Sequence, residues 1–232
     1  MTEPSQAKEI IARRVACEVR PGSLVNLGIG LPTQIAAYLP RGITVFFQTE
    51  NGLVGVGPRP PRGLENPSLV DAGGGFITAI PGAASFDSAF SFGLIRGGHL
   101  DLTVLGGLQV DAAGRLANWM IPGKLVPGMG GAMDLVSGAK RVVVAMTHTA
   151  KGEPKIVTTC TLPLTSIRPV SLVVTELAVL EPTNDGLVLR ERAPGVSVPA
   201  ILEATEARLV VPDVVPEMEL VGVPQSANES QE

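Results

Sequence analysis

Glu50 is the carboxylate in this chain best placed to act as a nucleophile. It lies in the run Phe46-Phe47-Gln48-Thr49-Glu50-Asn51-Gly52-Leu53-Val54-Gly55-Val56-Gly57-Pro58, where an apolar, β-prone segment gives way to residues almost free of bulk. An acid at the end of a strand is constrained by its backbone yet open to a ligand, a combination that suits covalent catalysis. Asn51-Gly52 is also a strong hairpin-turn signal, so a surface turn carrying a bystander acid is the plain alternative. The spacing of Gly52, Gly55 and Gly57 offers more backbone freedom than a simple hairpin needs, which favours the first reading.

Two further glycine-rich stretches could serve such a nucleophile. Gly28-Ile29-Gly30-Leu31-Pro32 falls between a strand and a helix, but Thr33 stands where a dinucleotide fingerprint needs its third glycine. It is either a tight turn or a place where a phosphate or pantetheine arm meets backbone N–H groups at a helix start. Gly128-Met129-Gly130-Gly131-Ala132-Met133-Asp134 could turn a backbone N–H into a cavity, as an oxyanion hole requires, or could be an ordinary loop entering a helix near Asp134. His99 and His148 share no metal-like spacing with each other or with a cysteine, and both read as structural. No metal site and no Ser/His/Asp triad follows from the sequence. Cys17 and Cys160 fit reduced, structural thiols of the cytoplasm.

The elements that must position these residues form an alternating pattern. Ser5 is a predicted N-cap for a helix carrying Ile11, Val15 and Val19, ended by Pro21-Gly22. Strands are predicted over residues 23–27, 43–48, 100–105, 141–146, 171–175, 187–190 and 208–211, and helices through Ile35 to Leu39, 90–95 and 199–204. Strands that are apolar throughout, alternating with helices, predict a mostly parallel sheet covered on both faces, with ligands at the strands' C-terminal ends. The 232 residues are long enough for one domain, expected over 1–223, with a polar disordered tail over 224–232. Only 3% of residues are aromatic against 45% hydrophobic, so the core is aliphatic. A net charge of −4 argues against a nucleic-acid partner. No apolar run reaches the length of a membrane span and the N-terminus lacks signal-peptide order, so a cytoplasmic protein is expected.

Taken together, the three glycine-rich stretches resemble the β subunit of a 3-oxoacid coenzyme A-transferase, over about residues 7–218. Thr49-Glu50-Asn51-Gly52 matches that family's Ser-Glu-Asn-Gly motif, with Thr49 keeping the hydroxyl. Gly128, Gly130, Gly131 and Asp134 match its oxyanion motif, about eighty residues downstream, and Gly28-x-Gly30-x-Pro32 matches a motif linked to coenzyme A binding. Residues 95–99, 116–124 and 160–165 are similar as well. The resemblance implies an α/β fold shared with glucosamine-6-phosphate isomerase-like proteins. It implies Glu50 as covalent nucleophile, Gly131 N–H as oxyanion donor, and Gly28, Gly30, Gly128 and Gly130 at the coenzyme A site. It further implies ping-pong transfer of coenzyme A from an acyl-CoA such as succinyl-CoA to a 3-oxoacid, through a glutamyl-CoA thioester. Coenzyme A is then a substrate and transient adduct, with no permanent cofactor, and a separate α subunit completes a heterodimer or heterotetramer.

Two rivals stay open at this point: a non-catalytic acyl-CoA-binding or regulatory subunit, and a sugar-phosphate isomerase. The second needs an acid/base pair and a basic phosphate pocket, and the sequence offers no convincing pattern for either. Arg59, Arg62 and Arg96 are the candidate cations if the acceptor is a dicarboxylate such as 3-oxoadipate rather than acetoacetate or a short fatty acid.

Overall fold

The computed structural model describes residues 3–124 and 128–221, so the expected tail lies outside the described residues. Helices α1 (Pro4–Ala16), α2 (Ser88–Arg96), α3 (Ala132–Gly138) and α4 (Val198–Glu203) accompany a 3-10 helix over Leu31–Tyr38. The strands are β1 (Leu24–Leu27), β2 (Phe46–Thr49), β3 (Leu53–Val56), β4 (Ala79–Ser85) and β5 (Leu102–Leu105), then β6 (Gln109–Asp111), β7 (Leu116–Ala117) and β8 (Arg141–Ala145). After them come β9 (Thr149–Ala150), β10 (Glu153–Pro154), β11 (Ile156–Val157), β12 (Leu172–Val174), β13 (Ala178–Thr183), β14 (Gly186–Arg192) and β15 (Leu209–Val210).

Ten strands make one sheet in the order β15-β14-β13-β12-β8-β5-β1-β2-β3-β4. Its centre, from β12 through β8, β5 and β1 to β2, is parallel throughout. Hairpins β2–β3–β4 on one side and β12–β13–β14 on the other add antiparallel strands. The predicted mostly parallel sheet is therefore the middle of a mixed one.

Both faces of the centre are buried, and the side chains show it by strict alternation. Val142 and Val144 of β8 pack with Ile95, Leu135 and Ile201 from α2, α3 and α4. Val143 and Ala145 point the other way, with Ile11 and Val15 of α1 and Ile35 of the 3-10 helix. Each such aliphatic side chain, removed from water, contributes about 1.5–3 kcal/mol, and this is why β8 and β12 at the centre of the sheet carry an almost unbroken run of aliphatic residues.

The first helix ends earlier than predicted, at Ala16, and begins at Pro4 with Glu3 rather than Ser5 in the capping position. Val19 lies beyond its end but is still buried. The segment through Ile35 winds as a 3-10 helix, opened by Gly30 at φ 91°.

Candidate active site

β1, β2 and β5 all run the same way, and Glu50 follows the last residue of β2 at their C-terminal ends. β1 pairs with β2 through Asn26 opposite Gln48, and Gly28 and Glu50 each follow that pair by two residues. Beyond Glu50 the chain turns back: Gly52 N–H donates to Thr49 O at 2.9 Å and β3 returns antiparallel. The hairpin reading of Asn51-Gly52 is thus correct, and Glu50 at its start is half-buried.

The turn is held from above and from the side. Thr49 Oγ1 donates to Asn51 Oδ1 (2.8 Å) and accepts from Ala72 N (2.9 Å), while Asn51 Nδ2 donates to Val70 O (2.9 Å). The hydroxyl that threonine shares with serine therefore ties the turn to the loop over residues 70–72. Gly52 sits at φ 124°, with its own O accepting from Phe86 N at 2.9 Å. Gly55 uses the expected backbone freedom, at φ 90°, and both Gly55 and Gly57 also answer to close packing. A Cβ on Gly55 would come within 2.8 Å of Ala83 Cβ, and one on Gly57 within 2.5 Å of Thr78 Oγ1. Their small size serves close packing of β3 and the segment after it on β4 and the residues before it, not a ligand.

Glu50 itself is half-buried, and Asn26 Nδ2 donates to its Oε2 at 3.1 Å. Among the described residues this neutral amide is the partner its carboxylate has, with no cation paired to it. Gly131 comes up against the same side chain: a methyl added there would stand 3.3 Å from Glu50 Cγ and 3.3 Å from the Phe92 ring. Gly131 precedes α3, and its N–H finds no protein acceptor among the described residues. The structure thus brings together Glu50 and Gly131, far apart in sequence. Arg96 closes the far side by joining α2 to α3 through Asp134 Oδ1, at 2.6 Å.

One expected feature of the Gly28 loop, a bare backbone N–H, is not found at Gly28 itself. Gly28 N–H is spent on Val104 O at 2.8 Å, continuing the β1–β5 ladder, so it is not bare. A Cβ on Gly28 would stand 3.0 Å from Val104 O, and this close approach of β5 accounts for the glycine. Gly30, Gly128 and Gly130 all have positive φ and open space around the missing Cβ.

Four residues under Glu50 escaped the sequence reading. Asn26, Ser91 and Thr103 are wholly buried and Gln48 nearly so, at 3% exposure. Asn26 and Thr103 are polar residues inside otherwise apolar strands, Gln48 follows two phenylalanines in β2, and Ser91 is a buried residue of α2; that oddity was the available signal. They link Thr103 to Asn26, Asn26 to Gln48 and Gln48 to Ser91.

Other reactive groups prove structural. Cys160 is half-buried, and burial foremost pushes its thiol up to about 12; Cys17 is at the surface, not buried as expected, yet its thiol is also raised. Among the described residues no cluster could hold a metal, and no helix is long and apolar enough to cross a membrane. His148 is fully buried, with Nδ1 2.9 Å from Thr175 Oγ1 and Nε2 2.8 Å from Thr205 Oγ1. Burial foremost, with Lys155 adding to it, pushes its imidazole down to about 4. Above about 6.5 the ring is neutral in folded and unfolded chains alike; as pH falls from there to about 4 only the unfolded chain takes the proton. His148 is thus expected to remove about 3 kcal/mol of stability across that window. Urea midpoints at pH 7 and 4.5 should show this loss, and His148→Gln should flatten it.

The coenzyme A transferase family model matches residues 8–204 of this chain. The chain is 54% identical to the beta subunit of the acetate CoA-transferase of Haemophilus influenzae, over 92% of this chain and 96% of that one. It is 50% identical to one subunit of a probable succinyl-CoA:3-ketoacid coenzyme A transferase of Bacillus subtilis, over 89% and 96%. A crystal structure of an acyl-CoA transferase apoenzyme from Escherichia coli O157:H7 superposes with a TM-score of 0.74 at 23% identity, covering 94% of this chain. This chain spans only 44% of that longer polypeptide, and the likeness shows the shared α/β fold. By the family match and by these identities, the chain belongs to the coenzyme A transferase family.

Proposed function

We propose that this chain is the nucleophile-bearing subunit of an enzyme that moves coenzyme A from an acyl-CoA to a carboxylic acid. The observation that carries the reading is the closeness of Glu50 and Gly131, where an added methyl would stand 3.3 Å from Glu50 Cγ, together with a Gly131 N–H that no acceptor among the described residues takes up.

The chemistry needs little else. A Glu50 oxygen attacks the thioester carbonyl, the C–S bond breaks, and coenzyme A leaves as thiolate from an acyl–glutamyl anhydride. That thiolate attacks Glu50 Cδ, the anhydride C–O bond breaks, and the first acid leaves as its carboxylate. A glutamyl–CoA thioester remains, and a second carboxylate reverses the steps. Each step exchanges one anion for another, so no proton moves and no general acid or base is required. This fits a nucleophile whose side chain is held by an amide and not by a histidine or lysine. Each attack builds charge on a carbonyl oxygen, and an N–H such as that of Gly131 stabilises it by on the order of 3 kcal/mol. Gly30, Gly128 and Gly130 leave room for the pantetheine arm to pass close to backbone.

Relatives named as single subunits of coenzyme A transferases support an α partner, which would shield the half-buried Glu50 from water. Water there would hydrolyse every intermediate, so this chain alone is expected to be inactive. The names of those relatives, acetate and succinyl-CoA:3-ketoacid transferases, support small acids as acceptors, with succinyl-CoA and a 3-oxoacid as the proposed pair. Arg96 is committed to Asp134, and Arg59 and Arg62 are exposed, so none of the three supports a dicarboxylate pocket. On the complex with its α subunit, initial rates with succinyl-CoA and acetoacetate should give parallel reciprocal plots, as a ping-pong path requires. Intersecting plots would refute the path. Coenzyme A binding without any exchange would support the non-catalytic alternative instead.

A further inference from the structure

Next to Glu50 the strands β5, β1 and β2 carry the buried polar residues Thr103, Asn26 and Gln48, and the register sets these three side by side. Thr103 of β5 lies opposite Asn26 of β1, and Asn26 lies opposite Gln48 of β2. On the next strands outward the neighbours in this row are Val142 and Val54, so the polarity is confined to the strands under the site. Ser91 of α2 closes the row from above, accepting from Gln48 Nε2 at 2.9 Å.

The Asn26 amide has two N–H bonds and three acceptors: Gln48 O at 3.3 Å, Gln48 Oε1 at 2.9 Å and Glu50 Oε2 at 3.1 Å. A backbone carbonyl only accepts, so the nitrogen end of the amide must face this side. The oxygen end, wholly buried, has one partner among the described residues, the Thr103 hydroxyl at 3.2 Å. We propose that Thr103 and the Gln48–Ser91 pair, though they touch no substrate, are positioning residues that lock the Asn26 amide in place and thereby hold the Glu50 oxygen in its attacking position. This rests on the reading of Glu50 as nucleophile. With the Thr103 hydroxyl gone, the amide oxygen loses its anchor and the amide can swing within its pocket. Three acceptors already compete for its two hydrogens, and once the amide swings its N–H no longer stays on Glu50, whose bond is longer than that to Gln48 Oε1. Misplacing a reacting group by about 1 Å costs on the order of 100-fold in rate.

The test uses the complete complex with its α subunit and follows the glutamyl-CoA adduct by intact mass in single turnovers with succinyl-CoA. Thr103→Val should slow adduct formation by about 10- to 100-fold, with the succinyl-CoA concentration for half-maximal rate moving less than about twofold. Thr103→Ser should restore the rate while melting lower, because it keeps the hydroxyl and loses a buried methyl. A merely structural role would make rate follow melting temperature, so this opposite ordering is the diagnostic result. Ser91→Ala, which frees Gln48, should slow the step by about threefold to tenfold, and decides the matter if Thr103→Val does not fold. Wild-type rates in Thr103→Val, a Thr103→Ser as slow as the valine variant, or an unaffected Ser91→Ala beside an unfolded Thr103→Val would each overturn the proposal. If the wild-type complex forms no adduct, the function proposed above falls and takes this inference with it; a normal wild-type adduct separates the two failures.

Discussion

Glu50→Gln in the complete complex is expected to lower turnover by roughly 10⁴-fold or more, the scale seen when a covalent nucleophile is removed. Glutamine is nearly the same size, and its carbonyl can still accept from Asn26 Nδ2, so the 3.1 Å contact and the turn around it persist. What is lost is the negative charge that attacks the thioester. Melting temperature should therefore stay within a degree or two of wild type while exchange between acyl-CoA and free acid disappears. A residual rate within about tenfold of wild type would remove Glu50 from the covalent step.

Gly52→Ala should be the most damaging substitution of a glycine in the site, and through geometry rather than chemistry. The residue sits at φ 124°, and a Cβ there would lie 2.0 Å from Phe86 O. That oxygen belongs to backbone. Gly52 also bonds to Thr49 on one side and to Phe86 on the other, so neither strand can step aside. Strain at a forbidden φ costs about 1–3 kcal/mol, and the collision adds to it, so a loss of roughly 3 kcal/mol or more is expected. Because the same turn carries Glu50, activity should fall with stability. Gly22→Ala is the control: φ is 78° but nothing lies within 4 Å of the added methyl, and about 1 kcal/mol is expected. Denaturation midpoints of the two variants, measured side by side, separate backbone strain from collision.

The parts of the fold that could be read from the sequence were those whose signal is local. The parallel strands β1, β5, β8 and β12 are largely apolar because helices cover both faces, so each appears as a short run rich in Val and Leu, interrupted by Asn26 in β1 and Thr103 in β5. Of the antiparallel additions only β14, predicted over 187–190, was legible. β4 contains Pro81 and Gly82, which read as a loop, and β3 lies inside the glycine run that drew attention for its chemistry. β13 ends in Glu181-Pro182-Thr183 before a tight turn, and only its pairing with β12 and β14 reveals it as a strand.

The site divides in the same way. Glu50 and Gly131 could be singled out because an acid at a strand end and adjacent glycines before a helix are local patterns. Their contact is not local; it depends on α3 packing beside α2 so that Phe92, Gly131 and Glu50 meet. The Asn26, Gln48, Ser91 and Thr103 network was invisible for want of register. One polar residue in an apolar strand is a minor oddity, and only the pairing of β5, β1 and β2 turns three of them into a row. Gly28 erred the other way: its motif suggested a ligand, while its N–H is committed to the sheet.

The central claim is that Glu50 bonds covalently to coenzyme A during transfer. The most direct measurement is the intact mass of this chain after its complex with the α partner is incubated with succinyl-CoA and no acceptor acid. The account predicts a shift by the mass of coenzyme A less one water, mapped to the peptide that contains Glu50 and absent from Glu50→Gln. An active complex in which the mass of this chain never changes, or an adduct mapped to any other residue, would contradict it.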